Sequence, residues 1–222
     1  MKKNLLALSL ALAFTSIPSI LHAEADIGAG KEKAAQCASC HGETGNSLVS
    51  SFPKLAEQHP NYLVKQLLAF KSGARKDPLM SPIAEHLSKD DIADIAAYYG
   101  SEKIAANDVP VVDEDEDDAT NKAKNAAAVQ TLIAQGGGLY RNGDLSREVS
   151  ACIACHGPLG EGNKPAGYPL LKSQHAEYLI KTLTDFKTDV RSNNPENMMH
   201  MIARKMTDEE IKAVSYRISM MK

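Results

Sequence analysis

Two short stretches of the chain repeat the same arrangement of cysteine and histidine. Each reads Cys-x-x-Cys-His, at residues 37–41 and 152–156, and together they use all four cysteines of the protein. Two thiols three positions apart lie about one helical turn from each other, so both can reach the two vinyl groups of one porphyrin. The histidine that follows is then held under the ring, where its imidazole can bind iron. The spacing therefore predicts two sites of covalent c-type haem attachment.

Other uses of the cysteines fit the spacing less well. A structural zinc site usually has its two Cys-x-x-Cys pairs about 15–20 residues apart, whereas more than a hundred positions separate Cys40 from Cys152. A thioredoxin-like redox pair would need one Cys-x-x-Cys near a βαβ pattern, which the sequence does not show. Disulfides would not require a histidine after each pair. Haem attachment is therefore the preferred interpretation.

The first 25 residues have the pattern of a secretory signal peptide. Two lysines near the start precede an almost unbroken apolar run over residues 5–14, and cleavage is expected after Ala23 or after Ala25. An uncleaved membrane anchor is the alternative, but the apolar run is short for a span of about 20 residues. Export fits haem attachment, because c-type haem is joined to proteins outside the cytoplasm.

Composition and charge suit a soluble protein whose cores contain a large cofactor. The 222 residues leave room for one or two domains, yet aromatic residues make up only 5% and tryptophan is absent. So few aromatic side chains would hardly fill the cores of two domains of about 80 residues each, unless an apolar cofactor occupies each core. The formal net charge is −3, and near −5 once the two leader lysines are removed. No basic patch suggests a nucleic-acid partner.

The second half of the chain repeats the first at an offset of 116 positions. The matching residues are Pro53, Gln58, His59, Tyr62, Leu63, Leu67, Phe70 and Arg75 with Pro169, Gln174, His175, Tyr178, Leu179, Leu183, Phe186 and Arg191. Apolar residues recur at helical spacing over residues 61–70, and no alternating strand pattern competes. We therefore expect an all-α protein with two tandem domains related by internal duplication, at residues 26–103 and 128–222.

Local signals indicate where several helices begin, end or cross. Gly28 and Gly30, ahead of the first haem motif, are small enough for another helix to cross closely. Capping boxes at Ser88 and Thr207 predict the start of the closing helix in each half. Gly100 is expected to end the first of these closing helices.

Residues 104–127 differ in character from both flanks. Six consecutive acidic residues at positions 113–118 stand between polar and alanine-rich segments. The run lacks the central glycine and the final glutamate of an EF-hand calcium loop. A docking site for a basic partner is a second alternative. We expect a solvated, self-repelling linker.

The repeat also indicates which residues could bind the second axial position of each iron. Met80 and Met199 each lie seven residues before the apolar residue that precedes the capped helix, and about 40 positions beyond the haem-binding histidine. Both are expected in a loop that folds back over the ring. Methionines that merely fill the core are the structural alternative. Met198 could replace Met199 if the register slipped by one residue.

Histidines are the competing type of axial ligand. His59 and His175 are equivalent and directly precede the central helix of each half. We interpret them as hydrogen-bonding or capping residues, with distal ligation or a proton-linked role as the alternative. His86 and His200 have no counterpart and are expected on the surface.

Together these features resemble the two-haem class I cytochromes c, in particular the cytochrome c4 type. The similarity rests on the two C-x-x-C-H motifs, the doubled F/Y-P-x-L…Q-H-x-x-Y-L…F segments and the doubled M-x-x-I-A…[ST]-x-[DE]-[DE]-I stretches, over about residues 26–220. The resemblance implies two cytochrome c folds with pseudo-two-fold symmetry and haem propionates facing each other across the interface. It implies two covalently bound haem c groups, with thioether links from Cys37, Cys40, Cys152 and Cys155, and iron ligation by His41 with Met80 and by His156 with Met199.

The resemblance further implies a periplasmic electron carrier that donates to a terminal cytochrome oxidase. Its electrons would come from a quinol-oxidising complex or a dehydrogenase, with transient docking and with membrane association only through a partner. If both axial positions are filled, substrate cannot reach the iron, so we expect no enzymatic activity. The alternatives are a two-haem oxidoreductase, such as a thiosulfate dehydrogenase or a peroxidase, and the electron-accepting subunit of a dehydrogenase.

Overall fold

The computed structural model describes residues 25–109 and 119–222. The expected signal peptide before Ala25 and the acidic run at 113–118 lie outside the described residues. Within the described ranges the regular structure is helical, apart from two isolated β-bridges that join Asp144 to Val149 and Asn163 to Tyr168. None of the helices in these ranges combines the length and the apolar character that a membrane span requires.

The helices of the first half pack around one apolar core. They are α1 (Ile27–Lys33), α2 (Ala38–His41), α3 (Pro60–Ser72), α4 (Met80–Glu85) and α5 (Lys89–Ser101). Ser88 begins α5 in a reciprocal capping box with Asp91, as its sequence predicted. Ile92 and Tyr99 of α5 are almost fully buried against Leu63 of α3. Apolar contacts between the central and the closing helix therefore hold this half together.

The second half repeats this order. Its helices are α6 (Ala119–Asn142), α7 (Ile153–His156), α8 (Ala176–Lys187), α9 (Met198–Ala203) and α10 (Asp208–Ser219). Thr207 and Glu210 form the second capping box. Tyr140 of α6 and Ile211 of α10 are buried in a separate core cluster. The all-α class and the internal duplication are confirmed.

The first helix of each half crosses the closing helix at a glycine. A Cβ atom on Gly30 would lie 2.1 Å from the carbonyl oxygen of Asp94 in α5, and one on Gly136 would lie 2.0 Å from the carbonyl oxygen of Ala213 in α10. The close crossing was predicted for Gly30, whereas a Cβ on Gly28 would contact only the side chain that caps its own helix. Gly136 was not singled out by the sequence pattern.

One expected helix end is wrong by one residue. Helix α5 continues through Gly100 to Ser101, and Gly100 lies close to the start of α3: a Cβ there would lie 2.6 Å from Pro60 Cγ. Helix α1 ends at Lys33 and continues as a 3₁₀ turn that leads into the first haem motif.

The segment expected to link the two halves is structured at both described ends. Helix α6 already begins at Ala119 and so crosses the expected boundary at residue 128. Residues 103–109 have no regular secondary structure, and the side-chain amide nitrogen of Asn107 donates to main-chain carbonyl oxygens of the second half at 2.9–3.1 Å. These contacts tie the end of the first half to the second, while the domain limits themselves stay a prediction.

The two halves contact each other through a reciprocal pair of glutamines. The side chain of Gln174 bonds both main-chain groups of Lys54 at 2.8 and 2.9 Å, and Gln58 bonds those of Leu170 at 3.0 and 2.9 Å. Because equivalent residues exchange equivalent contacts, the halves are related by a pseudo-two-fold axis. Both amides are buried and paired, so breaking either contact would leave buried polar groups unsatisfied.

Candidate haem sites

Each Cys-x-x-Cys-His motif forms one turn of helix that ends at the histidine. The turns are α2 and α7, and each is followed by a glycine with φ of 77°, at Gly42 and Gly157. A left-handed φ favours glycine, and the sharp exit turns the chain away immediately after the histidine. The expected spacing of two thiols and an imidazole within one turn is therefore present in both halves.

The two cysteine pairs lie in different halves and are not disulfide-bonded. Cys37 packs against the first core cluster, and Cys152 packs against the second. A zinc site that used all four cysteines is therefore not assembled. Burial raises the pKa of the Cys37 thiol, and it raises the pKa of Cys152 to about 11. Both cysteines are therefore in the thiol form at neutral pH.

The histidine of each motif is oriented by a main-chain carbonyl. His41 Nδ1 lies 2.8 Å from the carbonyl oxygen of Pro53, and His156 Nδ1 lies 3.0 Å from that of Pro169. Since a carbonyl only accepts, Nδ1 carries the proton and Nε2 keeps a free lone pair. Such a hydrogen bond typically fixes the ring of a metal-binding histidine. Both imidazoles therefore fit an iron ligand.

Burial keeps both imidazoles in the form that binds metal. His41 is 5% exposed and His156 is 8% exposed. Burial lowers the pKa of both rings, and the hydrogen bonds to the two carbonyls only partly oppose this effect. The rings are neutral at physiological pH, as ligation by Nε2 requires.

Met80 and Met199 occupy equivalent positions at the start of short helices. Met80 is the first residue of α4, and its N–H donates to Asp77 Oδ1 at 2.9 Å. Met199 lies in the first turn of α9, and its N–H donates to Asn194 Oδ1 at 2.8 Å. Both side chains are half-buried. The register predicted by the repeat is therefore reproduced, although the residues lie in helices and not in loops; ligation itself stays a prediction.

The residues that follow these methionines support the same register. Ala84 and Ala203 are fully buried, and Leu87 and Met206 are buried three residues later, just before the two capping boxes. This alignment pairs Met198 with an exposed leucine of the first half, Leu79, which is 59% exposed. Met199 is thereby favoured over Met198 as the counterpart of Met80.

The second half contains three more residues than the first between the repeated arginine (Arg75 or Arg191) and the methionine. In and just before this segment, Asp189, Glu196 and Asn197 have φ values of 52–61°, in the left-handed region. His200 was expected on the surface but is half-buried, with Nδ1 2.8 Å from the carbonyl oxygen of Phe186. This hydrogen bond holds the His200 ring against α8. His86, in contrast, is exposed as expected.

The paired histidines lie between the two halves. His59 and His175 directly precede α3 and α8, but neither side chain caps the N–H groups of its own helix. His175 Nε2 is 2.9 Å from the carbonyl oxygen of Ser47 in the other half, and the hydroxyl of Ser47 donates to the carbonyl of Cys40. His175 is thus a hydrogen-bonding residue and not a cap, and it links the second half to the first haem motif.

A cluster of cationic and phenolic groups lies where the central helices meet. Arg191 Nη2 donates to the hydroxyl of Tyr62 at 3.0 Å and to Gln66 Oε1 at 2.8 Å. Arg75 donates to the same Gln66 oxygen at 2.8 Å and to the hydroxyl of Tyr178 at 3.3 Å. Two guanidinium groups held side by side favour a planar anion such as a carboxylate. The sequence repeat identified the two arginines and the two tyrosines as equivalent pairs, but it did not predict that Gln66 belongs to the cluster.

Tyr178 is expected to ionise at lower pH than an ordinary tyrosine. Burial raises the pKa of Tyr178, but the positive charges of Arg75 and Arg191 more than offset it and bring the pKa to about 8. A free tyrosine has a pKa of about 10, so the unfolded chain binds more protons between these values. The contribution of Tyr178 to the free energy of unfolding should therefore rise from about pH 8 to pH 10 and be lost as the pH falls through about 8.

Ultraviolet difference titration of phenolate absorption checks this expectation. A component that titrates near pH 8 should be present in the wild-type protein and in Tyr62→Phe, and it should be missing in Tyr178→Phe. Retention of that component in Tyr178→Phe would show that another group produces it.

Comparison with known proteins matches both halves. The family model described as Cytochrome c matches residues 27–101 and 133–219. A protein named cytochrome c4 from Azotobacter vinelandii is 40% identical over 225 residues, which cover 97% of each chain. A protein named thiosulfate dehydrogenase electron acceptor from Stutzerimonas stutzeri (strain A1501) is 35% identical over 189 residues, 85% of this chain and 80% of that protein.

Solved structures give the same result for the fold. The crystal structure of reduced recombinant cytochrome c4 from Pseudomonas stutzeri superposes with a TM-score of 0.78 and 36% sequence identity. The match covers 89% of this chain and 99% of the other. The arrangement of both halves, and not only one of them, is therefore shared with a known protein.

Proposed function

Because the chain belongs to the cytochrome c family, and carries two of its domains and two covalently bound haem c groups, we propose that it carries electrons in the periplasm to a terminal oxidase. The dihaem electron-transfer class follows from the family and from the relatives named cytochrome c4. The location, the respiratory chain and the oxidase belong to the proposal. One observation carries it: each half presents the same motif turn, oriented histidine and methionine at equivalent positions.

The residues divide into those that attach the haem and those that bind its iron. In each half the two motif cysteines would form the thioether links, and the carbonyl-oriented histidine would bind iron through Nε2. Met80 and Met199 would supply the opposite ligands. Bound haem c supplies reversible one-electron chemistry at its iron. A thioether ligand favours ferrous iron and raises the reduction potential, and two protein ligands leave no position for substrate.

The interface cluster would hold the carboxylate groups of the haems. Arg75 and Arg191 lie at the junction of the halves, each with its guanidinium about 4.5 Å from the ring centre of a phenylalanine on its own central helix. Stacking fixes the planes of the guanidinium groups, and the N–H groups that are not used within the cluster would donate to an acceptor. Haem propionates that meet there would bring the two cofactors together across the interface.

The proposed organisation comprises a cleaved signal peptide, domains at 26–103 and 128–222, and a linker between them. Donor and acceptor would dock transiently, with electrons supplied by a quinol-oxidising complex or a dehydrogenase. The mature chain is expected to carry a net charge near −5, so docking would depend on local charge near a haem edge more than on net attraction.

A second candidate function is the electron-accepting subunit of a thiosulfate-oxidising enzyme. The observation that favours it is the 35% identical relative bearing that name, which matches 85% of this chain. A tightly bound subunit would co-purify with its dehydrogenase and be reduced when thiosulfate is added to the complex. A free carrier would purify alone and would be oxidised rapidly by membranes that contain a terminal oxidase.

A redox titration of the exported protein, followed by visible absorption, tests the proposal. We expect two haems to titrate and the reduced protein not to bind carbon monoxide. The oxidised protein should show the weak red absorption of iron–sulfur ligation. Binding of carbon monoxide by one haem, or a red band of half the expected intensity, would mean that one iron is open or differently ligated. The carrier proposal would then give way to a search for a substrate.

A further inference from the structure

Equivalent positions beside the two haem sites differ in charge. Lys54 and Leu170 each directly follow the proline whose carbonyl accepts the Nδ1 hydrogen bond of the motif histidine. The main-chain groups of both residues are bonded by the reciprocal glutamines, and both residues are 5% exposed. The main-chain contacts and the exposure are thus matched, but the first site has a buried ammonium group where the second has an isobutyl group.

The segment after α5 (residues 103–109) holds this ammonium group in place. Lys54 Nζ donates to the carbonyl oxygen of Ala105 at 2.7 Å and to Asn107 Oδ1 at 2.6 Å. The amide nitrogen of Asn107 is in turn anchored to the second half through the main-chain carbonyls of Ser173, Gln174 and Ser219. The charge therefore has a fixed position, set by contacts from both halves.

The positive charge of Lys54 interacts with neighbouring titratable groups. Burial lowers the pKa of Lys54, and the carboxylate of Asp108 opposes this. Asp108 is exposed, so solvent screens its charge and it only partly cancels that of Lys54. Lys54 also contributes to the lowered pKa of His175, mainly a result of burial, so its field extends into the interface.

We propose that Lys54 is an electrostatic positioning residue that raises the reduction potential of the haem in the first half. A fixed positive charge in a poorly solvated site stabilises the iron state of lower charge, which is the reduced one. Groups outside the ligand set, such as this one beside the histidine-orienting carbonyl, commonly tune a metal centre. Leu170 gives the second haem no such contribution. The inference rests on the proposed ligation by His41.

The test is a spectroelectrochemical titration of the full-length holoprotein with substitutions at both positions. Lys54→Met and Lys54→Gln remove the charge, and the glutamine keeps a hydrogen-bond donor for the segment after α5. Each should lower one of the two potentials, so that the ferrous-to-ferric ratio at the wild-type midpoint falls by up to tenfold, about 59 mV for one electron. Lys54→Arg should retain the potential, and Leu170→Met should change neither potential.

The haem that shifts is identified from the axial methionine methyl resonances in nuclear magnetic resonance spectra, assigned with Met80 and Met199 variants. Unchanged potentials in Lys54→Gln, in protein that still titrates as two haems, would overturn the inference. Equal shifts of both potentials, or a lower melting temperature alone, would also overturn it, because they would indicate a purely structural role at the interface. Failure of the wild-type protein to titrate as two haems would instead contradict the proposed function.

Discussion

Replacement of Met80 by alanine is expected to open one of the two haems to carbon monoxide and to lower its reduction potential. Alanine cannot reach the iron, so one axial position of the first haem would be left for an external ligand. Loss of the thioether also removes a ligand that favours ferrous iron. The second haem should be unaffected, since Met199 lies in the other half. Carbon monoxide difference spectra of the reduced protein should show one molecule bound for every two haems.

Variants of the second half provide matched controls for this result. Met199→Ala should bind carbon monoxide with the same stoichiometry, and the double variant should bind it at both haems. Met198→Ala should bind none, because Met198 is equivalent to the exposed Leu79 and not to Met80. If Met198→Ala opened the haem and Met199→Ala did not, the register of the second site would be wrong. Unchanged spectra and potentials in Met80→Ala would remove Met80 from the ligand set.

Features that depend on a few neighbouring residues could be predicted from the sequence. The capping boxes at Ser88 and Thr207 join residues only three positions apart, so their presence requires no knowledge of the fold. The haem motifs are equally local, since each occupies one helical turn. The internal duplication also paired residues that are far apart in the sequence, and it predicted that Met80 and Met199 occupy equivalent positions.

Contacts between distant segments could not be predicted in the same way. Gln66 receives hydrogen bonds from both interface arginines, but its counterpart in the repeat is a threonine, Thr182, so no duplicated pattern marks it. Asn107 lies within the expected linker and has no counterpart, yet it joins the two halves. His200 bonds a main-chain carbonyl of α8 and has no histidine counterpart in the first half. In each case the role arises from asymmetry, which a repeat cannot reveal.

The close crossing of α6 and α10 gives the second prediction of large effect. Gly136→Ala would place a methyl group 2.0 Å from the carbonyl oxygen of Ala213 and 2.8 Å from the main-chain nitrogen of Val214. These are backbone atoms of a helix, so they cannot move aside as a flexible side chain can. The helices must separate and lose packing around Tyr140, which is fully buried between them. We expect the free energy of unfolding to fall by about 3 kcal/mol.

A glycine two positions away in the same helix is the control. A Cβ on Gly138 would have no heavy atom within 4 Å, so Gly138→Ala should gain about 0.5–1 kcal/mol from helix propensity. Denaturant unfolding followed by circular dichroism measures both changes, and equal midpoints for the two variants would contradict the close crossing. The hydroxyl of Tyr140 also donates to the carbonyl of Gly157, directly after the second motif histidine. Separation of α6 from α10 should therefore disturb the second haem site. In Gly136→Ala, the iron–sulfur absorption of the second haem should be lost at a lower denaturant concentration than that of the first haem.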